Sequence, residues 1–261
     1  MNETLKNILQ ECFWLIVPLV VGYFVNNLRR SNKINIYKKL LRITGEVDNS
    51  GETWLKFITA NPQLEDASEL VTCGYVFEYR AAGELGSTIN KLYGPNLKIK
   101  TVMSKNEFSY TYGELSSNII LIGGPFHNCV TRNFLERMGA SWPFHFESDA
   151  TLVYTDPEGK LPTRRFTPLE VDKSYYGEDF ALIMNVKNPY NPEKRVIFIA
   201  GCRSIGCYGG AIFLSQQLKE IRKKAPWDEY AVVVSCSGDA EDLNARPKLV
   251  DTFPLNIQYD Q

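Results

Sequence analysis

Histidine is scarce in this sequence, and its cysteines follow no recognisable pattern. Only His127 and His145 occur among 261 residues, so histidine-based catalysis or zinc binding is restricted to those two positions. The six cysteines show neither Cys-x-x-Cys spacing nor the spacing of a disulfide framework, and reduced thiols are therefore expected. We predict no metal site and no resident cofactor.

One acidic stretch offers an alternative to that last prediction. Asp239, Glu241 and Asp242 follow a predicted buried strand over residues 230–236. Carboxylates in such a place could hold a ribose hydroxyl or a magnesium ion. A solvated loop explains the same residues more simply, so the stretch stays outside the predicted site.

An excess of charge of either sign is also missing. The chain has 29 Lys and Arg against 30 Asp and Glu, for a formal net charge of −1. Because there is no overall basic field to attract a phosphate backbone, we predict no nucleic-acid partner.

The stretch from Asn118 to Leu135 predicts a strand, a glycine loop and a helix in series. Residues 118–122 predict a short buried strand, Gly123-Gly124-Pro125 forces a turn, and Asn128 is a good N-cap residue. Glycines let the backbone approach a ligand closely, and a helix start offers N–H groups and a positive dipole end. An anion such as phosphate suits this place.

A second unit of the same kind follows later in the chain. Residues 195–201 are a β-branched run, residues 202–210 are rich in glycine, and residues 211–224 have the pattern of a helix. Two such units predict an α/β fold with a doubly wound, mostly parallel, Rossmann-like sheet that binds ligands at the carboxyl ends of its strands. The alternative is that the glycines only turn the chain and pack helix on sheet.

The predicted α/β domain spans residues 70–261. Further strands are expected over 70–77, 97–103 and 179–187. Alternating residues and a turn signal at 156–159 predict an antiparallel insertion over 140–178.

The predicted ligand is a nucleotide-derived or other phosphate-bearing small molecule. Arginines beside the helix starts would add charge-assisted hydrogen bonds to phosphate, although both could equally be solvated surface residues. Neither loop is a Walker A motif or a Gly-x-Gly-x-x-Gly motif, so ATP hydrolysis and NAD-dependent hydride transfer lose support. The predicted ligand-binding residues are Gly123, Gly124, Asn128, Thr131, Arg132, Gly201, Arg203, Ser204, Gly206, Gly209 and Gly210.

Nucleophilic catalysis is the alternative use of the second loop. Ser204 sits where a hydrolase elbow would place its nucleophile, but the elbow needs glycine two residues earlier and Cys202 stands there. Cys207 at a helix start, with His127 as base, is the other candidate pair. A buried structural cysteine is the commoner explanation.

The N-terminal segment has the composition of a membrane anchor. Residues 12–25 carry no charge, and the candidate span 5–28 is about 24 residues, enough for the hydrocarbon core of a bilayer. Basic residues follow it, which predicts a single-pass inner (plasma) membrane protein with its N-terminus outside and its C-terminal domain cytoplasmic. Residues 1–28 would be the anchor and 29–69 a basic juxtamembrane segment and connector. A buried N-terminal helix is the alternative.

Taken with the predicted tether, the motif Ile122-Gly-Gly-Pro125, Asn128 and Thr131-Arg132 resembles the Rossmann-like nucleotide-sensing domains, SLOG-like and TIR-like relatives, of bacterial antiphage and conflict systems. The resemblance covers residues 70–240 and the tether. The Gly-Gly-x-Gly-Thr signature of SLOG proteins is absent, and no residue matches the catalytic glutamate of TIR domains. The resemblance implies recognition of a nucleotide signal followed by an effect at the membrane in antiphage defence.

The leading hypothesis is therefore a membrane-anchored cytosolic sensor or effector. Its ligand would favour one packing arrangement or homo-oligomer over another. Two alternatives remain from the sequence, which are a hydrolase or transferase acting on a nucleotide or small acyl compound, and a tethered protein-interaction module without a small-molecule site.

Overall fold

The computed structural model describes residues 20–32, 34–35, 38–43, 45–47, 51–59, 69–94, 96–104, 110–139, 142–170, 175–239, 245–255 and 257. The chain divides into an N-terminal unit, Met1–Leu40, and a large unit, Leu41–Gln261. Every site discussed below belongs to the large unit.

The first helix, α1, covers residues 20–32 of the N-terminal unit. No helix among the described residues has the length and hydropathy to cross a membrane. The prediction of a single-pass inner-membrane anchor, with the N-terminus outside and a cytoplasmic C-terminal domain, is therefore wrong. Residues 5–19 of the predicted span lie outside the described residues.

A large sheet organises the remaining unit. Its described strands run in the order β1-β2-β4-β10-β9-β11-β12, with β3 also paired to β2 and β8 to β9. Their bounds are β1 Glu46–Val47, β2 Thr53–Thr59, β3 Leu97–Met103, β4 Ile119–Ile122, β8 Leu169–Glu170, β9 Tyr175–Asn188, β10 Asn191–Gly201, β11 Tyr230–Asp239 and β12 Arg246–Pro254. A separate small sheet contains β5 Phe144–Phe146, β6 Leu152–Tyr154 and β7 Arg164–Phe166, all antiparallel.

The large sheet is mixed, so the predicted doubly wound parallel Rossmann-like sheet is wrong. Among the described pairings only β2–β3, β2–β4 and β4–β10 are parallel. The pairings of β9 with β8, β10 and β11, of β11 with β12 and of β1 with β2 are antiparallel.

A short connection explains the change of direction. β9 ends at Asn188 and β10 begins at Asn191, and these two residues pair with each other. A parallel crossover needs about a dozen residues or more, so strands joined this closely must form a hairpin. The turn-forming residues at 188–192, Asn-Pro-Tyr-Asn-Pro, close this hairpin.

The helices of the large unit are α2 Glu69–Tyr93, α3 Tyr112–Leu115, α4 Cys129–Arg137, α5 Ser204–Gln216 and α6 Leu218–Lys224. The predicted strand over 70–77 is wrong, because these residues belong to α2. The buried positions of α2 recur at helical spacing, which favours one face of a helix over a strand. Those positions are Phe77, Ala81, Leu85, Ile89 and Leu92.

Two faces of the large sheet are covered differently. On face 1, α2 and α5 pack against the strands, and a β-carbon on Gly210 of α5 would stand 2.9 Å from Ile199. On face 2, Phe134 of α4 joins Leu121, Phe198 and the side chains of the small sheet in one buried cluster. Alternate residues of β4 and β10 therefore serve opposite layers, as the two-residue period of a strand requires.

Candidate functional site

The two glycine loops lie side by side at the carboxyl ends of β4 and β10. These strands are parallel neighbours, with Ile122 opposite Ile199. The N–H of Gly123 donates to the carbonyl oxygen of Ile199 over 3.0 Å. A β-carbon on Gly124 would stand 2.9 Å from the carbonyl oxygen of Gly201, so this close approach requires glycine.

The helices that follow these two strands leave in opposite directions. β4 leads to α4 on face 2, whereas β10 leads to α5 on face 1. Neighbouring parallel strands whose connections separate in this way form a crevice at their carboxyl ends, where α/β sheets commonly bind ligands. We name this place, flanked by residues 123–128 and 201–206, the glycine crevice.

Asn128 caps the N-terminus of α4 with its side chain, as the sequence predicts. Its side-chain oxygen accepts the N–H groups of Val130 and Thr131, at 3.1 and 3.2 Å. Its side-chain nitrogen donates to the carbonyl oxygens of Ile58 and Ile122. Two of the predicted ligand-binding residues, Asn128 and Thr131, are thus fully buried and bonded to the protein.

Asp179 performs the same task at the start of α5. Its carboxylate accepts N–H groups from Phe180 at 2.8 Å, Arg203 at 3.2 Å and Gly206 at 2.5 Å. Gly206 has no room for a side chain, since a β-carbon there would stand 2.4 Å from the carbonyl oxygen of Phe180. The place that the sequence reserves for a ligand anion is therefore taken by a carboxyl group of the protein itself.

The environment of Asp179 alters its acidity. The side chain is completely buried, and burial raises its pKa to about 7, against the lowering effect of the three N–H donors and of Arg203. Asp179 therefore titrates near neutral pH.

Glu78 places a second carboxylate beside the first glycine loop. It lies on α2 and is 5 % exposed. Its two carboxylate oxygens stand 3.0 and 3.1 Å from the position of a β-carbon on Gly123, a residue whose φ is +116°. The negative charge of Glu78 also contributes to raising the pKa of Cys207, which places it near both glycine loops.

The remaining predicted residues either surround the glycine crevice or pack α5 against the sheet. Arg132, Arg203 and His127 are exposed and Ser204 is half-buried, and of these His127, Arg203 and Ser204 belong to the loops that flank the glycine crevice. Gly209 belongs to the packing of α5, since a β-carbon there would stand 2.7 Å from Cys236. The structure therefore brings Gly123, Gly124 and Gly201 together, but it uses Gly209 and Gly210 to seat α5 on the sheet.

The cysteines near the crevice have the properties of structural thiols. The N–H of Gly201 donates to Sγ of Cys207 over 3.1 Å, and Sγ of Cys236 donates to the carbonyl oxygen of Ile205 over 3.4 Å. Burial raises the pKa of Cys202, Cys207 and Cys236 well above its ordinary value. A neutral, buried thiol is a poor nucleophile, so this geometry gives Cys207 no help as a catalyst.

Glu78 and Asp179 are the residues that the sequence did not single out. The sequence did not identify Glu78 because the residues before it were predicted to form a strand, and Glu78 was therefore not placed on a helix facing the glycine loops. Asp179 opens the apolar run of β9, and a carboxylate at the end of a buried strand is the one local signal that could have identified it.

Two other features add no chemistry to this site. A depression of about 550 Å³ lies between α2 and β3, and no Asp, Glu, Lys, Arg or His is among its described lining residues. Within the described ranges, no group of three or more His, Cys, Asp or Glu could hold a metal ion. Glu241 and Asp242 of the predicted acidic loop lie outside those ranges.

No protein-family model matches the chain, and no curated protein matches it significantly.

Proposed function

We propose that this protein binds a nucleotide-derived small molecule at the glycine crevice. The observation that carries the proposal is the meeting of two glycine loops at the carboxyl edge of the sheet, between helices that leave to opposite faces. Parallel strands with this arrangement are the usual ligand position of α/β sheets.

The charges around the crevice support a ligand with two chemical parts. Glu78 is a buried carboxylate, and a carboxylate can accept a hydrogen bond from a ribose hydroxyl group. Arg203 is exposed at the rim, where a guanidinium can bind phosphate oxygens. Because Asp179 and Asn128 already satisfy the helix starts, the phosphate belongs at the rim and the sugar near Glu78.

Thermal denaturation and calorimetry of the full chain with AMP, ADP-ribose and a cyclic dinucleotide test this proposal. We expect at least one of them to raise the melting temperature, since a ligand that binds only the folded state stabilises it. Arg203→Ala should weaken that binding by about tenfold or more, the contribution of a hydrogen bond to a charged group. Arg222→Ala, which removes an exposed arginine from the last turn of α6, is the matched control.

Two results would count against the proposal. One is that no member of the panel changes the melting temperature or gives a heat of binding. The other is that Arg203→Ala and Arg222→Ala bind the active compound equally well, which would place the ligand elsewhere.

A further inference from the structure

A second cleft lies at the amino ends of β4 and β10, the opposite end of these strands from the glycine crevice. Its volume is about 370 Å³, in the range of small-molecule sites. Trp54 and Lys56 of β2 and Lys100 of β3 line it, together with Lys194 at the start of β10. We name it the lysine cleft.

The pleat of the sheet places the side chains of Trp54, Lys56 and Lys100 on the same face. Trp54 and Lys56 alternate with buried residues of β2 and share face 2 with Ile58, which lies in the face 2 cluster. Lys100 pairs with Lys56 across the parallel β2–β3 ladder, so their side chains are neighbours on the same face. Like charges side by side repel each other, and such a pair favours an anion between them.

The carboxylates that line the cleft do not neutralise all of the positive charge of its lysines. Glu114 accepts from the N–H of Thr111 at 3.0 Å in a capping box, and its contact with Lys56 is 3.4 Å long. Glu46 pairs with Lys194 at 2.9 Å. Three lysines therefore face two carboxylates, and no ion pair to Lys100 occurs among the described residues.

The wall opposite the sheet is held in place before any ligand arrives. The side-chain nitrogen of Asn188 donates to the carbonyl oxygens of Leu115 and Ser117, both at 2.7 Å. The hydroxyl of Tyr112 donates to the carbonyl oxygen of Tyr190 at 2.6 Å. A fixed wall reduces the ordering cost of binding.

We propose that the lysine cleft binds a small phosphate-bearing anion. Lys56 is the inner cation, with its side chain 18 % exposed, and Lys100 supplies the uncompensated charge. Trp54 gives the cleft an apolar wall that limits water on one side and strengthens the attraction between the lysines and the anion. This site is separate from the glycine crevice and does not depend on the function proposed there.

Titration calorimetry of the full chain with inorganic pyrophosphate tests this inference. We expect binding that weakens as salt is added, because the attraction is between partly exposed charges. Lys100→Glu should weaken it by about tenfold or more, since it replaces an attractive charge with a repulsive one. Lys219→Glu, the same change at an exposed position of α6, is the matched control.

Arg203→Ala distinguishes the two sites, because it alters the glycine crevice and should leave pyrophosphate binding at the lysine cleft unchanged. Circular dichroism checks that Lys100→Glu folds, as expected for an exposed side chain. The inference is overturned if pyrophosphate gives no heat of binding, if Lys100→Glu binds as the wild type does, or if Arg203→Ala removes the binding instead.

Discussion

The two ends of the β4 and β10 strands use charge in opposite ways. At the glycine crevice, Asp179 and Glu78 are buried, and Asp179 accepts three backbone N–H groups. At the lysine cleft, the charged side chains are partly exposed, and their contacts are mostly with one another. The first end buries its carboxyl groups and leaves Arg203 exposed, whereas the second end leaves both its lysines and its carboxylates partly exposed.

This difference shows why a helix start alone is weak grounds for an anion site. The first turn of α5 has the N–H groups that a phosphate needs, but Asp179 already occupies them. The lysine cleft contains no glycine motif, yet its cations exceed its carboxylates. A helix start can bind a ligand anion only if its N–H groups are not already hydrogen-bonded within the protein. Only the folded structure shows whether they are.

The largest expected effect is on stability at the glycine crevice. Asp179→Ala leaves the buried N–H groups of Phe180 and Gly206, and the partly buried N–H of Arg203, without this acceptor. At about 1–3 kcal/mol for each buried donor, we expect a loss on the order of 4 kcal/mol in the free energy of unfolding. Denaturant unfolding measures it, with Asp179→Asn as the control that keeps one acceptor oxygen. Equal stability of Asp179→Ala and wild type would remove Asp179 from its structural role.

The next expected effect is a difference in stability between alanine substitutions at two glycines, one at each end of the sheet. A β-carbon on Gly124 would stand 2.9 Å from the carbonyl oxygen of Gly201, whereas one on Gly113, beside the lysine cleft, meets nothing within 4 Å. We expect Gly124→Ala to destabilise by about 1–3 kcal/mol through overpacking, and Gly113→Ala to be neutral or slightly stabilising. Thermal unfolding of both variants checks this. A similar change at both sites would mean that the contact between the glycine loops is not tight.

Local signals predicted part of this structure correctly. The β4 strand, the turn at Gly123 and the N-cap at Asn128 depend on neighbouring residues, and all three are confirmed. The strand predicted over 70–77 is wrong because packing against the sheet decides in favour of α2. The parallel sheet is wrong because a two-residue link forces β9 and β10 into a hairpin.

The chemistry of the two sites depends on contacts that are distant in sequence. Asp179 lies 24 and 27 residues from the Arg203 and Gly206 N–H groups that it accepts. The lysine cleft joins side chains from Glu46 to Lys194 through the ladder of the sheet. No spacing rule connects such residues, so the sequence could predict the glycine loops but not what fills or surrounds them.

The pH dependence of stability at the same carboxylate gives an effect per pH unit that is smaller than the loss expected for Asp179→Ala. The pKa of Asp179 is about 7 in the folded protein, against about 4 for an unfolded aspartate. Between these values the folded state holds more protons, so this group's contribution to stability falls as the pH rises, by up to about 1.4 kcal/mol per pH unit. Denaturant unfolding from pH 5 to pH 8 should show this slope, and Asp179→Asn should lack it. An identical slope in both proteins would contradict the assignment.

The smallest expected effect is on stability at the lysine cleft. Lys100 is exposed and has no ion pair among the described residues, so Lys100→Ala should change the free energy of unfolding by less than about 0.5 kcal/mol. Chemical denaturation measures it beside Asp179→Ala. A loss as large as that of Asp179→Ala would abolish the contrast between the two ends of the sheet.

Hydrogen–deuterium exchange of the full chain tests the central claim most directly, with whichever of AMP, ADP-ribose and the cyclic dinucleotide stabilises the protein most. If the ligand binds at the glycine crevice, exchange should slow in peptides that cover residues 123–128 and 201–206. It should remain unchanged in the wall of the lysine cleft at residues 110–118. Protection confined to that wall, or no protection in either segment, would contradict the account.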